Sequence, residues 1–168
     1  MSKIASRPLE IFSGTGGVGK TTLATSRALY LAPFKKVLLI TIDPAKRLKQ
    51  VLNIKDDHEL GVQKVFLSNL IEGAEGSFDV LLMNPLETFR YIQHALDKHE
   101  MNVILKQLLG AYGGLNEIMS IIELNRHMES EEYNTIILDT PPGKNFVDFL
   151  KASQKIQSFF RPQFVKII

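Results

Sequence analysis

One octapeptide limits what this chain can become more than any other stretch. Gly14-Thr15-Gly16-Gly17-Val18-Gly19-Lys20-Thr21 fits the pattern G-x-x-x-x-G-K-[ST], a phosphate-binding loop. Such a loop turns backbone N–H groups inward around phosphate oxygens, and glycine permits the turn because it carries no Cβ. The lysine of the pattern, Lys20, has the reach for β- and γ-phosphates, and the Thr21 hydroxyl suits Mg²⁺. Context separates the pattern from an ordinary glycine-rich turn. Leu9-Glu10-Ile11-Phe12 reads as a strand before it. Lys20 to Ala32 reads as a helix after it, with Leu23, Ala24, Ala28 and Leu31 on one face and Pro33 as the stop. Strand, loop and helix N-terminus is the order that an anion site needs.

The rest of the chain alternates in the same way. Lys36 to Ile42 is a nearly continuous apolar run, the mark of a strand buried on both faces, and it ends at Asp43-Pro44. Ala45 to Leu52 fits a short helix with Leu48, Val51 and Leu52 inward. Val62 to Leu70 and Phe78 to Met83 read as strands around a turn containing Gly73 and Gly76. From Pro85 the period becomes helical: Phe89, Ile92 and Leu96, then Val103 to Leu108, then Ile118, Ile121, Ile122, Leu124 and Met128. This block of about 45 residues exceeds what one crossover helix requires and is read as a helical insertion over about 85–130. Thr135 to Leu138 is another buried strand, ending at Asp139, followed by Thr140-Pro141-Pro142-Gly143 and a helix from Asn145 to about Phe160. The expected fold is α/β, a mostly parallel sheet flanked by helices, in a single domain spanning residues 1–168. Because Phe164 to Ile168 resembles the start of a further element, the domain is expected to be the N-terminal part of a longer one.

Composition excludes several classes. With 168 residues there is room for one domain. A net charge of +2 gives no argument for nucleic acid or an anionic membrane. The absence of cysteine rules out a disulfide framework and a thiolate metal site, in keeping with a reducing cytoplasm. Met1 to Pro8 has no apolar core of a signal peptide, and no run approaches the roughly 20 residues of a membrane span. His58, His94, His99 and His127 show no ligand spacing and are expected at the surface. Met83, Met101, Met119 and Met128 fit a helical core better than an adaptable groove.

Two carboxylates follow apolar strands, Asp43 and Asp139, and so belong at the carboxyl edge where open α/β sheets hold ligands. Asp139 has the form of a metal-shell ligand, direct or through water; the structural alternative is a cap. Asp43 suits the orientation or deprotonation of an attacking water; its alternative is a turn-former before Pro44. Thr22 offers a hydroxyl towards an α-phosphate or simply faces solvent in the first helical turn, and Thr140 and Gly143 stand where a loop could sense a γ-phosphate, Gly143 being equally a plain turn glycine.

These segments together resemble the arsenite-efflux ATPase family, which includes the ATPases that target tail-anchored membrane proteins. The resemblance is carried by Gly14 to Thr22, by Thr41-Ile42-Asp43-Pro44-Ala45 with Arg47-Leu48, and by Ile137-Leu138-Asp139-Thr140-Pro141-Pro142 followed by Asp148-Phe149-Leu150. It implies a deviant-Walker P-loop ATPase using ATP and Mg²⁺, switching as a homodimer in the cytoplasm, with peripheral membrane attachment compatible. Asp43 would be its switch I residue and Asp139 its Walker B aspartate, and the segment after Pro85 would match a cargo-holding helical subdomain. The implied cargo is a transported species, a membrane protein or another polypeptide, and not nucleic acid. Three departures stand out. Thr15 occupies the position of the family's cross-dimer lysine, with Lys46, Arg47 and Lys144 as the candidate substitutes. Gly143-Lys144 replaces the usual Thr-Gly, a spelling that also resembles division-site and partitioning ATPases. The zinc-binding cysteine pair of the tail-anchor branch is absent. Two other readings therefore stand beside the ATPase: a partitioning-type ATPase, and a nucleotide-dependent interaction module with little turnover.

Overall fold

The structure is a computed structural model that describes residues 8–42, 61–84, 87–90 and 115–140, together with Leu48, Leu52 and His94. The chain divides into two compact units: Met1–Met83 with His127–Gly143, and Asn84–Arg126 with Lys144–Ile168.

The first unit is built on a five-stranded sheet. Its strands are β1 (Leu9–Phe12), β2 (Val37–Thr41), β3 (Val62–Phe66), β4 (Ser77–Leu82) and β5 (Thr135–Asp139), in the order β1-β5-β2-β4-β3. Pairing is parallel from β1 through β5 and β2 to β4, and antiparallel between β4 and β3. Sequence explains the order. Val37-Leu38-Leu39-Ile40-Thr41 and Thr135-Ile136-Ile137-Leu138-Asp139 are buried at every position, as central strands of a parallel sheet must be. β3 alternates and leaves Val62 and Phe66 exposed, as an edge strand can. It also stops earlier than its apolar run: Leu67–Asn69 is a 3-10 turn, closed by the Leu70 N–H on the Leu67 carbonyl. The alternation that reads as one strand to Leu70 ends there because the chain must reverse into β4.

Helix α1 (Lys20–Leu31) follows β1 through the glycine loop. Ala24, Thr25, Ala28 and Leu31 are its buried residues beyond Lys20, and the two alanines and Leu31 join one core with Val37, Leu39, Val65, Phe78, Val80 and Ile137. Leu23 departs from expectation: it is 58% exposed. The two alanines decide the inward face, since small side chains let helix and sheet backbones approach, and Leu23 falls outside that stripe. A leucine gains about 1.5–3 kcal/mol from full burial, and here Leu31 gains it and Leu23 does not. Arg27 makes a two-pronged ion pair with Glu10 of β1, at 2.8 and 2.9 Å, which ties helix to strand. The hydrogen bond to Glu10 is the main reason the Arg27 guanidinium is held above its usual proton affinity.

Leu48 and Leu52 are helical and buried, as expected of the short helix; Val51 lies outside the described residues. So do the segments 95–114 of the expected insertion and the expected helix from Asn145. Of that insertion, residues 87–90 and helix α2 (Leu115–Glu129) are described as helical. Met119 and Leu124 are buried, as the helical-core reading requires, whereas Met128 is 41% exposed. In the second unit Glu123 is buried, accepts from the Thr88 hydroxyl at 3.3 Å and pairs with Arg126. His127 reverses the surface expectation. It is buried, with its ring edge-on to Tyr133 at 6.1 Å, because Tyr133 of the same unit stands beside it. His94 is exposed, and His58 and His99 lie outside the described residues.

Candidate functional site

The loop between β1 and α1 has the conformation its sequence demands. Gly17 and Gly19 sit at φ 79° and 86°, in the left-handed region that other residues avoid. A Cβ at Gly16, Gly17 or Gly19 would meet no protein atom within 4 Å. Backbone conformation, and not crowding from the protein, therefore requires glycine at 17 and 19, and the space over the loop is open. Gly14 differs: a Cβ there would approach Val18 Cγ2 to 3.1 Å. Thr15, Gly16, Gly17, Val18 and Gly19 are all exposed.

Gly19 is also the N-cap of α1, and no side chain caps the helix there. The first N–H groups of a helix lack intrahelical partners, so this end presents donors and a positive dipole end to the loop. No acidic side chain occupies the first turn to compete with an incoming anion. Lys20 folds back over the loop and donates from Nζ to the Thr15 carbonyl at 3.0 Å. Thr22, one residue past Thr21 in the first turn, is exposed.

The sheet brings a carboxylate to this loop. Asp139 is the last residue of β5, which lies beside β1, and it is 1% exposed. The Thr21 hydroxyl donates to its Oδ2 at 2.7 Å, across 118 residues of sequence. Thr41, the last residue of β2, donates to the same oxygen at 3.2 Å. Sequence reasoning took Thr41 as part of an apolar run and of the segment that carries the family resemblance, with no role for its hydroxyl. Its signal was a hydroxyl at the end of Val-Leu-Leu-Ile, level with Asp139 in the next strand. Thr140 is buried, and its hydroxyl donates to the Phe12 carbonyl at 2.9 Å. In this structure it thus ties β5 to β1, at the place where the sequence reading set a loop able to sense phosphate. Asp43, Lys46, Arg47, Gly143 and Lys144 lie outside the described residues. Ile42, just before Asp43, donates its N–H to the Asp139 carbonyl at 3.1 Å.

The donor set suits a small hard cation. Thr21 and Asp139 offer a hydroxyl and a carboxylate side by side, and among the described residues no group of three His, Cys, Asp or Glu gathers for a metal. Mg²⁺ takes few protein oxygens and fills the rest of its shell with phosphate and water, whereas zinc wants nitrogen and sulfur ligands. Among the described residues no helix is long and apolar enough to cross a membrane.

Several known proteins are similar to this chain. A family model described as anion-transporting ATPase matches residues 9–167. ATPase get3 of Neurospora crassa is 35% identical over 141 residues, covering 82% of this chain and 40% of that protein. ATPase GET3 of Rhodotorula glutinis is 30% identical over 138 residues, covering 82% and 38%. A protein of Aquifex aeolicus with the provisional name arsenical pump-driving ATPase 1 is 26% identical over 168 residues, covering 92% and 40%. Among solved structures, pnob8 ParA aligns with a TM-score of 0.49 at 21% identity, covering 95% of this chain and 58% of that one. The chain spans about two fifths of the length of the curated relatives it matches.

Proposed function

The chain belongs to the anion-transporting ATPase family, and from that premise we propose that it binds Mg²⁺-ATP on the loop Gly14 to Thr22 and hydrolyses it. The observation that carries the reading is the 2.7 Å bond from Thr21 to Asp139, which joins the phosphate loop to a strand-end carboxylate. Phosphoryl transfer asks little covalent chemistry of a protein; positioning and charge stabilisation supply the rate. The amides of Gly16, Gly17 and Gly19 and the uncapped N-terminus of α1 receive the phosphates. Lys20 exchanges the Thr15 carbonyl for phosphate oxygens. Thr21 and Asp139 are the residues that would hold Mg²⁺, which when bound would neutralise phosphate charge. Asp43 orients the attacking water.

The finer role is a nucleotide-dependent switch in the cytoplasm, a homodimer coupled to transport or to targeting of a membrane-protein or polypeptide cargo. The relatives named ATPase GET3 and arsenical pump-driving ATPase support that direction. Thr15 in the position of the family's cross-dimer lysine favours a second reading, an interaction module with little turnover.

Phosphate release from ATP by the full chain tests both. Mg²⁺-dependent release is expected, and Lys20→Ala should abolish tight ATP binding; unchanged affinity in that variant would remove the assignment. Asp43→Asn should keep binding and lose about 10²- to 10⁴-fold in turnover. Tight binding by the unaltered chain with no measurable release would leave the interaction module standing.

A further inference from the structure

We propose that Thr41 is a positioning residue for the metal-shell carboxylate: from β2 it holds Asp139 in place, independently of the phosphate loop. This rests on reading Asp139 as a metal-shell residue.

Three observations point to it. First, Thr41 is 2% exposed in an otherwise aliphatic strand, where a hydroxyl costs free energy unless it is bonded. Valine would have the same shape without that cost, so the hydroxyl marks a requirement beyond packing. Second, Thr41 and Thr21 donate to the same oxygen, Oδ2 of Asp139, at 3.2 and 2.7 Å, from different elements. Thr21 rides on α1 and is itself a proposed metal ligand, so it serves two partners. Thr41 rides on the sheet, and its hydroxyl donates to the carboxylate from there. Third, the backbone around Thr41 is fixed on both sides. It pairs with Asp139 in register with β5 and with Leu82 in register with β4. The Met83 N–H bonds its carbonyl at 3.1 Å. A hydroxyl on so constrained a frame can set the orientation of its acceptor. Partners of this kind, one bond removed from a metal, govern ligand orientation and metal affinity.

The test measures binding of a fluorescent ATP analogue to the full chain in EDTA and across a MgCl₂ titration, with a thermal melt for each variant. Thr41→Val should need about tenfold more Mg²⁺ to reach half of the metal-dependent gain in affinity. Its affinity in EDTA should stay at the unaltered chain's value, and Thr41→Ser should restore the Mg²⁺ midpoint. If the valine chain does not fold, Thr41→Cys, which keeps the volume with a much weaker donor, should show the same shift. An unchanged Mg²⁺ midpoint in the valine or cysteine chain overturns the proposal. So does an equal loss of affinity with and without Mg²⁺ alongside a lowered melt, the mark of a packing role alone. If the unaltered chain gains no affinity from Mg²⁺, the reading of Asp139 fails and takes the proposal with it. That case is distinguishable, because all the chains would then be alike.

Discussion

At the carboxyl end of β2 and β5, Thr41 and Asp139 are 2% and 1% exposed, and the contacts between them are hydroxyl to carboxylate. At the amino end of the same two strands, Lys36 and Glu132 are half-exposed and form an ion pair at 2.7 Å. Lys36 also lies over the Tyr133 ring at 5.2 Å, and its N–H takes the Asn134 side chain at 2.9 Å. One end withholds a carboxylate from water and gives one of its oxygens two neutral donors. The other leaves opposite charges in solvent, where such pairs are worth little. A shielded carboxylate keeps its field for whatever enters beside it, because few waters screen it. The solvated pair does local tethering. On the proposed reading, the same two strands carry a chemical end and a fastening end.

Asp139→Asn probes this contrast most severely. The amide keeps an acceptor for Thr21 and Thr41 and removes the charge, so the Mg²⁺ requirement of nucleotide binding should rise about 10- to 100-fold. An unchanged Mg²⁺ titration would show that the shielded end has no chemical role. Tyr133→Phe comes next. It removes the hydroxyl that donates to the buried Asp79 at 3.1 Å. Urea unfolding should register a loss of about 1–2 kcal/mol, with nucleotide affinity unaltered. A changed affinity would mean the two ends are coupled and the contrast is wrong. The smallest effect belongs to Glu132→Gln. The hydrogen bond from Lys36, then its charge, holds the Glu132 carboxyl below its usual range in the folded chain. A lowered proton affinity on folding contributes stability above the ordinary glutamate range, lost as pH falls through it and below. Glu132→Gln should flatten the acid side of the stability profile by lowering the neutral-pH melt slightly, while the melt below the glutamate range stays where it was. A large shift at neutral pH would give this exposed pair more weight than its solvation allows.

Much of this was legible in the residues. Val37 to Thr41 and Thr135 to Asp139 read as buried strands because burial on both faces leaves no polar alternation to misread. The glycine loop was legible because its function requires a backbone few residues can adopt. Leu23 misled because helical period names a face without naming which residues let the sheet come close; Ala24 and Ala28 did that. His127 misled because composition places histidine at the surface, and only the fold sets Tyr133 beside it. Thr41 was invisible for a different reason. Its importance is a register, Thr41 against Asp139, and register is a relation between strands nearly a hundred residues apart, with nothing in either strand alone to announce it.

The contact from Lys20 to Thr15 changes what anion capture must accomplish. An ammonium at large in solvent surrenders its hydration shell when it takes a guest. Lys20 is only 9% exposed and already rests on a carbonyl, so much of that surrender happened when the chain folded. On the proposed reading, arrival of a phosphate is then a swap of oxygens at a charge largely shielded from water beforehand.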